Sequence, residues 1–193
     1  MKSKKKVFLT VLCAAALVVA SVLGTMAFLT STDTVTNTFT VGNVNITLDE
    51  APVNVNGDAI SGDRVDANSY KLIPGKTYDK DPIVHVTNGS ENCYVFVKID
   101  NQISNLEATG DTTIAAQMAV KGWKQLNNTN VYYQENPVAA NSNITVFEHF
   151  TLSDDANVSN YTGKQIIVNA YAIQAEGFDD AAAAWAAAPA EWK

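Results

Sequence analysis

A mostly β chain, folded as a β-sandwich with two short peripheral helices, is the architecture this sequence predicts. Three observations lead there: period-two alternation of apolar residues in several separate segments, turn chemistry between those segments, and helical patterning confined to two short stretches.

From Thr32 to Leu48 the chain is dominated by Thr, Val, Ile and Phe, side chains that suit a pleated surface. Val35, Phe39 and Val41 share one parity and Val44, Ile46 and Leu48 the other. The switch predicts two strand segments joined at Gly42-Asn43 by a bulge or tight turn. Residues 51 to 70, rich in Asn, Asp, Gly and Ser, read as loop with at most a short hairpin. Pro74-Gly75 predicts a type II turn, because glycine accepts the positive φ that such a turn requires.

Strands are expected at Ile83 to Val86 and Cys93 to Ile99, separated by a turn at Asn88-Gly89-Ser90. In the longer one, Cys93, Val95, Val97 and Ile99 point one way and Tyr94, Phe96 and Lys98 the other. Ile144, Val146, Phe150 and Leu152 repeat the alternation. Ile166, Val168, Ala170 and Ala172 do so again, opposed by Ile167, Tyr171 and Ile173, so this last segment is apolar on both faces and reads as a central strand. One helix is expected from Asp111 to Val120, capped by Asp111, with Ile114, Met118 and Trp123 facing the core. A second starts after Gly177, capped by Asp179 or Asp180, and ends before Pro189.

The N-terminus carries Lys2, Lys4, Lys5 and Lys6, then an uncharged stretch from Val7 to Leu23, then Gly24-Thr25-Met26-Ala27. That is the three-part pattern of a secretory signal peptide over residues 1–27, with small side chains at Thr25 and Ala27 where a peptidase reads them. Met26, Phe28 and Leu29 extend the apolar run, and roughly 20 such residues also suffice as a membrane anchor. The membrane is thus expected as a partner only through an uncleaved signal. Cys13 follows the bulky Leu12 in mid-run, which argues against a lipoprotein signal.

Residues 28–193 then form a single domain with nine basic and 20 acidic residues, a formal charge of −11. Such a surface repels phosphate backbones and excludes nucleic acid as the expected partner. Cys93 is the one cysteine left in that span. No intrachain disulfide can form there, a practice more familiar from exported Gram-positive proteins than from small eukaryotic secreted domains.

Catalytic machinery is hard to assemble from these residues. Catalytic zinc takes about three protein ligands, and only His85 and His149 are present, without a His-Glu-x-x-His pattern. They are weak metal-ligand candidates: two ligands fall short of the number required, and ordinary surface or strand histidines account for them better. No Gly-x-Ser-x-Gly elbow occurs, and Cys93 lies within a strand pattern, where it reads as a small hydrophobe. Asp154-Asp155 and Asp179-Asp180 lack the spaced ligand series of a calcium loop and read as turn and cap residues. No cofactor is expected. The Thr-rich stretch from Phe28 to Val41 stands out, because cleavage would leave it as a free end able to pair within its own sheet or with an edge of another molecule.

Several of these stretches resemble one family. Gly24-Thr25-Met26-Ala27-Phe28-Leu29-Thr30, followed by Asp33-Thr34-Val35-Thr36-Asn37-Thr38-Phe39-Thr40-Val41-Gly42, is similar to the signal and first strand of exported proteins of the TasA/camelysin (CalY) family. Leu72-x-Pro-Gly with Lys80-Asp81-Pro82, the run from Asn92 to Lys98, and the ending from Ala170 to Phe178 also resemble its members. The resemblance implies a jelly-roll-like β-sandwich and cleavage between Ala27 and Phe28 by a signal peptidase of the SipW type. It further implies a secreted structural subunit of biofilm matrix or cell-surface fibres, self-associating by donation of an N-terminal strand. Carried onto this chain, the donor runs from Phe28 to about Thr40 and includes Val35, Asn37 and Phe39. Camelysins have also been classed as metallopeptidases, which the two histidines do not support. A camelysin-like secreted metallopeptidase and a monomeric surface adhesin are the two alternatives.

Overall fold

The computed structural model describes residues 43–193. The expected leader, the cleavage pair Ala27 and Phe28, and the donor positions Val35, Asn37 and Phe39 lie outside the described residues, as does Gly42.

The described chain is mostly β. Its strands are β1 (Ile46–Asp49), β2 (Thr77–Asp79), β3 (Ile83–Val86), β4 (Cys93–Asn101), β5 (Trp123–Gln125), β6 (Val131–Gln134), β7 (Ser142–Thr145), β8 (His149–Thr151) and β9 (Ile166–Gln174). Two helices, α1 (Ile114–Val120) and α2 (Ala181–Ala187), complete it together with two single 3-10 turns. All pairing is antiparallel, in the orders β1-β3-β7, β2-β8 and β5-β6-β4-β9.

The first two of these sheets are one ribbon with a kink. Ile83 pairs with Thr145 and Asp79 with His149, and the backbone between them keeps the same register. The Val146 N–H donates to the Pro82 carbonyl at 2.8 Å and the Lys80 N–H to the Glu148 carbonyl at 3.1 Å. Pro82 has no N–H to give in return, so regular pairing lapses there and resumes beyond it.

This ribbon and the four-stranded sheet face each other over one core. Tyr78, Val84, Val86, Phe150 and Leu152 come from one side and Cys93, Val95, Val97 and Ile99 from the other, all buried. The parity predicted for Cys93 to Ile99 is the observed one. Its opposite face is not left to solvent: Tyr94, Phe96, Tyr171 and Ile173 pack with Ala181, Ala184 and Trp185 of α2 in a second apolar cluster. The Phe96 and Trp185 ring centroids are 4.9 Å apart.

Local chemistry sets the element ends. Asp180 caps α2, accepting from the Ala183 N–H at 2.8 Å. α1 begins later than expected: Thr113, not Asp111, is its cap, accepting from the Ala116 N–H at 3.2 Å. Thr113 has the extended backbone of a capping residue, whereas Asp111 belongs to the preceding turn. Gly75 has φ +74 and the Lys76 N–H closes on the Ile73 carbonyl at 3.2 Å, the turn expected at Pro74-Gly75. Gly57, at φ +78, leaves no room for a side chain because a Cβ there would stand 2.3 Å from the Tyr78 ring.

β9, expected as a central strand, pairs with β4 alone among the described residues and closes one end of its sheet there. The β5-β6 hairpin was not anticipated. Asn127 and Asn128, both at positive φ, turn the chain between its strands, a role suited to asparagine.

Candidate functional site

The position of β9 directs attention to the side that has no strand partner among the described residues. In β4, Cys93 exchanges both backbone bonds with Val138, at 2.9 and 2.8 Å, and the Ile99 N–H reaches the Asn130 carbonyl at 2.9 Å. Odd-numbered residues of β4 therefore direct their backbone groups away from β9 and even-numbered ones toward it. Because residue pairs alternate between bonded and non-bonded along an antiparallel ladder, β4 bonds Ile167, Asn169, Tyr171 and Ile173. The N–H and C=O groups of Val168, Ala170 and Ala172 point outward, away from β4, while their side chains pack on the main core.

β1 presents a second such edge. The Thr87 N–H bonds the Asn45 carbonyl at 3.0 Å, and Glu50 bonds Val65 on the other side at 2.9 and 2.8 Å. The same alternation turns the backbone groups of Ile46 and Leu48 away from β3. β1 packs beside β9 without a ladder between them. A groove of about 720 Å³ opens there, with Leu48, Asp49 and Glu50 on one wall, Ile166, Ile167 and Val168 on the other, and Ile103 and Phe150 among the apolar side chains lining it.

The β1 wall is held by charge. Arg64 bonds Asp49 through Nε and Asp81 through Nη1, the latter at 3.0 Å, and Nη2 reaches the Asp81 carbonyl at 2.8 Å. Behind it the Lys80 ammonium is buried against the Glu50 carboxylate, which also accepts from Asn68 Nδ2 at 3.0 Å. Burial opposes ionisation of Asp49, but hydrogen bonds from Arg64 and His85 outweigh it and hold the carboxyl below its usual range.

The two histidines are not brought together. His85 of β3 faces Asn143 and His149 of β8 faces Asp79, so they lie on opposing strands of the kinked ribbon, six register positions apart, which is about 20 Å at 3.3 Å per residue. His85 Nε2 lies 2.9 Å from Asp49 Oδ1 and Nδ1 lies 2.7 Å from Asn143 Oδ1. Among the described residues no group of three or more His, Cys, Asp or Glu gathers as metal ligands would. Cys93 is buried, which pushes its thiol up to about 11 and makes it a poor nucleophile.

His85 does carry a pH dependence. Burial disfavours its charged form, yet the bonds to Asp49 and Asn143 prevail and raise its pKa above the ordinary value of about 6.5. A raised folded pKa means stability that is fully present below the unfolded value and is lost as pH rises through the folded one. Urea midpoints are therefore expected to rise as pH falls from about 8 to about 6, with a smaller rise in His85→Gln. Equal responses in the two proteins would remove this role.

No protein-family model, curated protein or solved structure matches the chain. The groove and the ion network escaped sequence reasoning because their members, Asp49, Glu50, Arg64, Asn68, Lys80 and Asp81, follow no short spacing.

Proposed function

We propose that this chain is a secreted structural subunit of an extracellular matrix or cell-surface fibre, and that subunits join by donating residues 28–40 to the open edge of β9 in a neighbour. One observation carries the reading: β9 runs nine residues, is apolar on both faces, and is bonded along one edge only among the described residues. From Ile166 to Gln174 it has no charge and no proline, the devices by which proteins usually protect an edge from association. An incoming strand satisfies the outward amides and carbonyls of Val168, Ala170 and Ala172, which is how extended segments are captured elsewhere.

The expected donor suits that role. Residues 28–40 carry a single charge, Asp33, in a domain whose formal charge is −11, so the segment enters an apolar border at little desolvation cost. The leader supports export, and its removal would free Phe28 as the donor's first residue. The family resemblance points the same way.

Electron microscopy of purified residues 28–193 and 41–193 tests the reading. Filaments are expected from the first and monomers from the second, with a synthetic 28–40 peptide binding the truncated protein and capping growth of the longer one. Monomers from both, at high concentration and at acid pH where charge repulsion falls, would leave the adhesin reading in its place.

A further inference from the structure

We infer that Lys80 and Asn68 become joined by an isopeptide bond, formed by the chain itself with Glu50 as proton carrier. The inference is independent of how subunits assemble.

Three groups meet at one carboxylate, with Glu50 and Lys80 buried and Asn68 half-buried beside them. Glu50 is 4% exposed and Lys80 8%. One oxygen of the Glu50 carboxylate accepts from Lys80 Nζ and the other from Asn68 Nδ2, at 3.0 Å. An amine and a carboxamide thus hang on the two oxygens of a single carboxylate. The carboxamide is held at its other atoms too: Nδ2 donates to the Ala51 carbonyl at 2.8 Å, and Oδ1 accepts from the Val53 N–H at 3.0 Å. The Tyr70 phenol, whose ionisation burial opposes most strongly and the Glu50 charge opposes next, stands near the same carboxylate.

Each contact has a part in amide exchange. Glu50 takes a proton from Lys80, leaving an amine whose lone pair attacks Asn68 Cγ. As the new C–N bond forms, negative charge gathers on Oδ1, where the Val53 N–H is already placed to stabilise it. The Cγ–Nδ2 bond then breaks. The departing nitrogen takes up the second proton of the attacking amine through Glu50, together with the proton Glu50 first removed, and leaves as ammonium. An ammonium and a primary amide become a secondary amide and free ammonium; nothing is oxidised or reduced and no cofactor is required.

The outcome suits a domain whose span 28–193 holds a single cysteine. A buried ion pair gives uncertain stability because desolvation opposes it, whereas a covalent tie restrains the unfolded chain. The tie would close the segment 68–80 into a ring and fasten a groove wall that includes Glu50, Asn68 and Lys80.

Intact-mass spectrometry of the denatured wild-type protein reads the bond directly. The expected mass is about 17 Da below that of the unmodified chain, one ammonia lost. Trypsin should fail to cut after Lys80, and tandem spectra should recover the peptide holding Asn68 attached to the one holding Lys80. Lys80→Arg and Glu50→Ala should both return to full mass. A folded wild-type protein of full mass, cut normally after Lys80, overturns the proposal. The same mass loss traced to a cyclised Asn56-Gly57 or Asn88-Gly89 overturns it equally.

Discussion

Replacing Ala170 with proline is expected to leave the subunit folded while abolishing its ability to accept a strand. The Ala170 N–H points away from β4, so proline removes no bond of the existing ladder. Proline is tolerated on edge strands where the missing N–H faces outward. An incoming strand, by contrast, loses a bonding partner at the centre of its ladder and meets the pyrrolidine ring. The control is the adjacent Asn169→Pro, which removes an N–H bonded to β4 and should cost about 1–3 kcal/mol for the ladder bond lost. Circular dichroism with urea titration reports the fold, and electron microscopy reports assembly. Filaments from Ala170→Pro at the wild-type rate would sink strand addition at β9.

Phe150→Ala is expected to destabilise the domain by about 3–5 kcal/mol, a large part of the 5–15 kcal/mol that holds most domains folded. Phe150 is 1% exposed and stacks on Tyr78, with centroids 4.7 Å apart and planes at 8°. Tyr70 closes edge-on at 5.2 Å. The Tyr78 hydroxyl donates to the Lys71 carbonyl at 2.7 Å, and Gly57 lies flat against the same ring. Collapse into the vacated space is therefore limited, because the neighbouring rings are tethered to loop backbone. Urea unfolding of the two proteins measures the loss through the shift in midpoint at constant slope. A change below about 1 kcal/mol would mean that Tyr70 swings in to refill the site.

The alternation from Cys93 to Ile99 was legible because side chains on successive residues of a strand leave on opposite faces, whatever the strand's neighbours. The same logic narrowed the α2 cap to Asp179 or Asp180, of which the folded chain uses Asp180, and marked Pro74-Gly75 as a turn, since each depends on residues a few positions away. The helix start at Thr113 was less legible: Asp111 and Thr113 are both able caps, and only the backbone angles of the folded chain choose between them. The β5-β6 hairpin was too short for periodicity to register.

β9 shows where reading along the chain runs out. Its two apolar faces were visible at once, and they are covered, one by the main core and the other by the cluster under α2. Centrality within a sheet is another matter, because ladder bonds lie in the sheet plane, perpendicular to the side chains, and leave no trace in hydropathy. The network of Asp49, Arg64 and Asp81 and the meeting of Glu50, Asn68 and Lys80 are of the same kind. Local pattern sufficed for strands, caps and turns, whose causes act over a few residues. Which strand ends its sheet among the described residues, and which charges share a buried carboxylate, was settled by packing between segments remote in the chain, where no spacing rule operates.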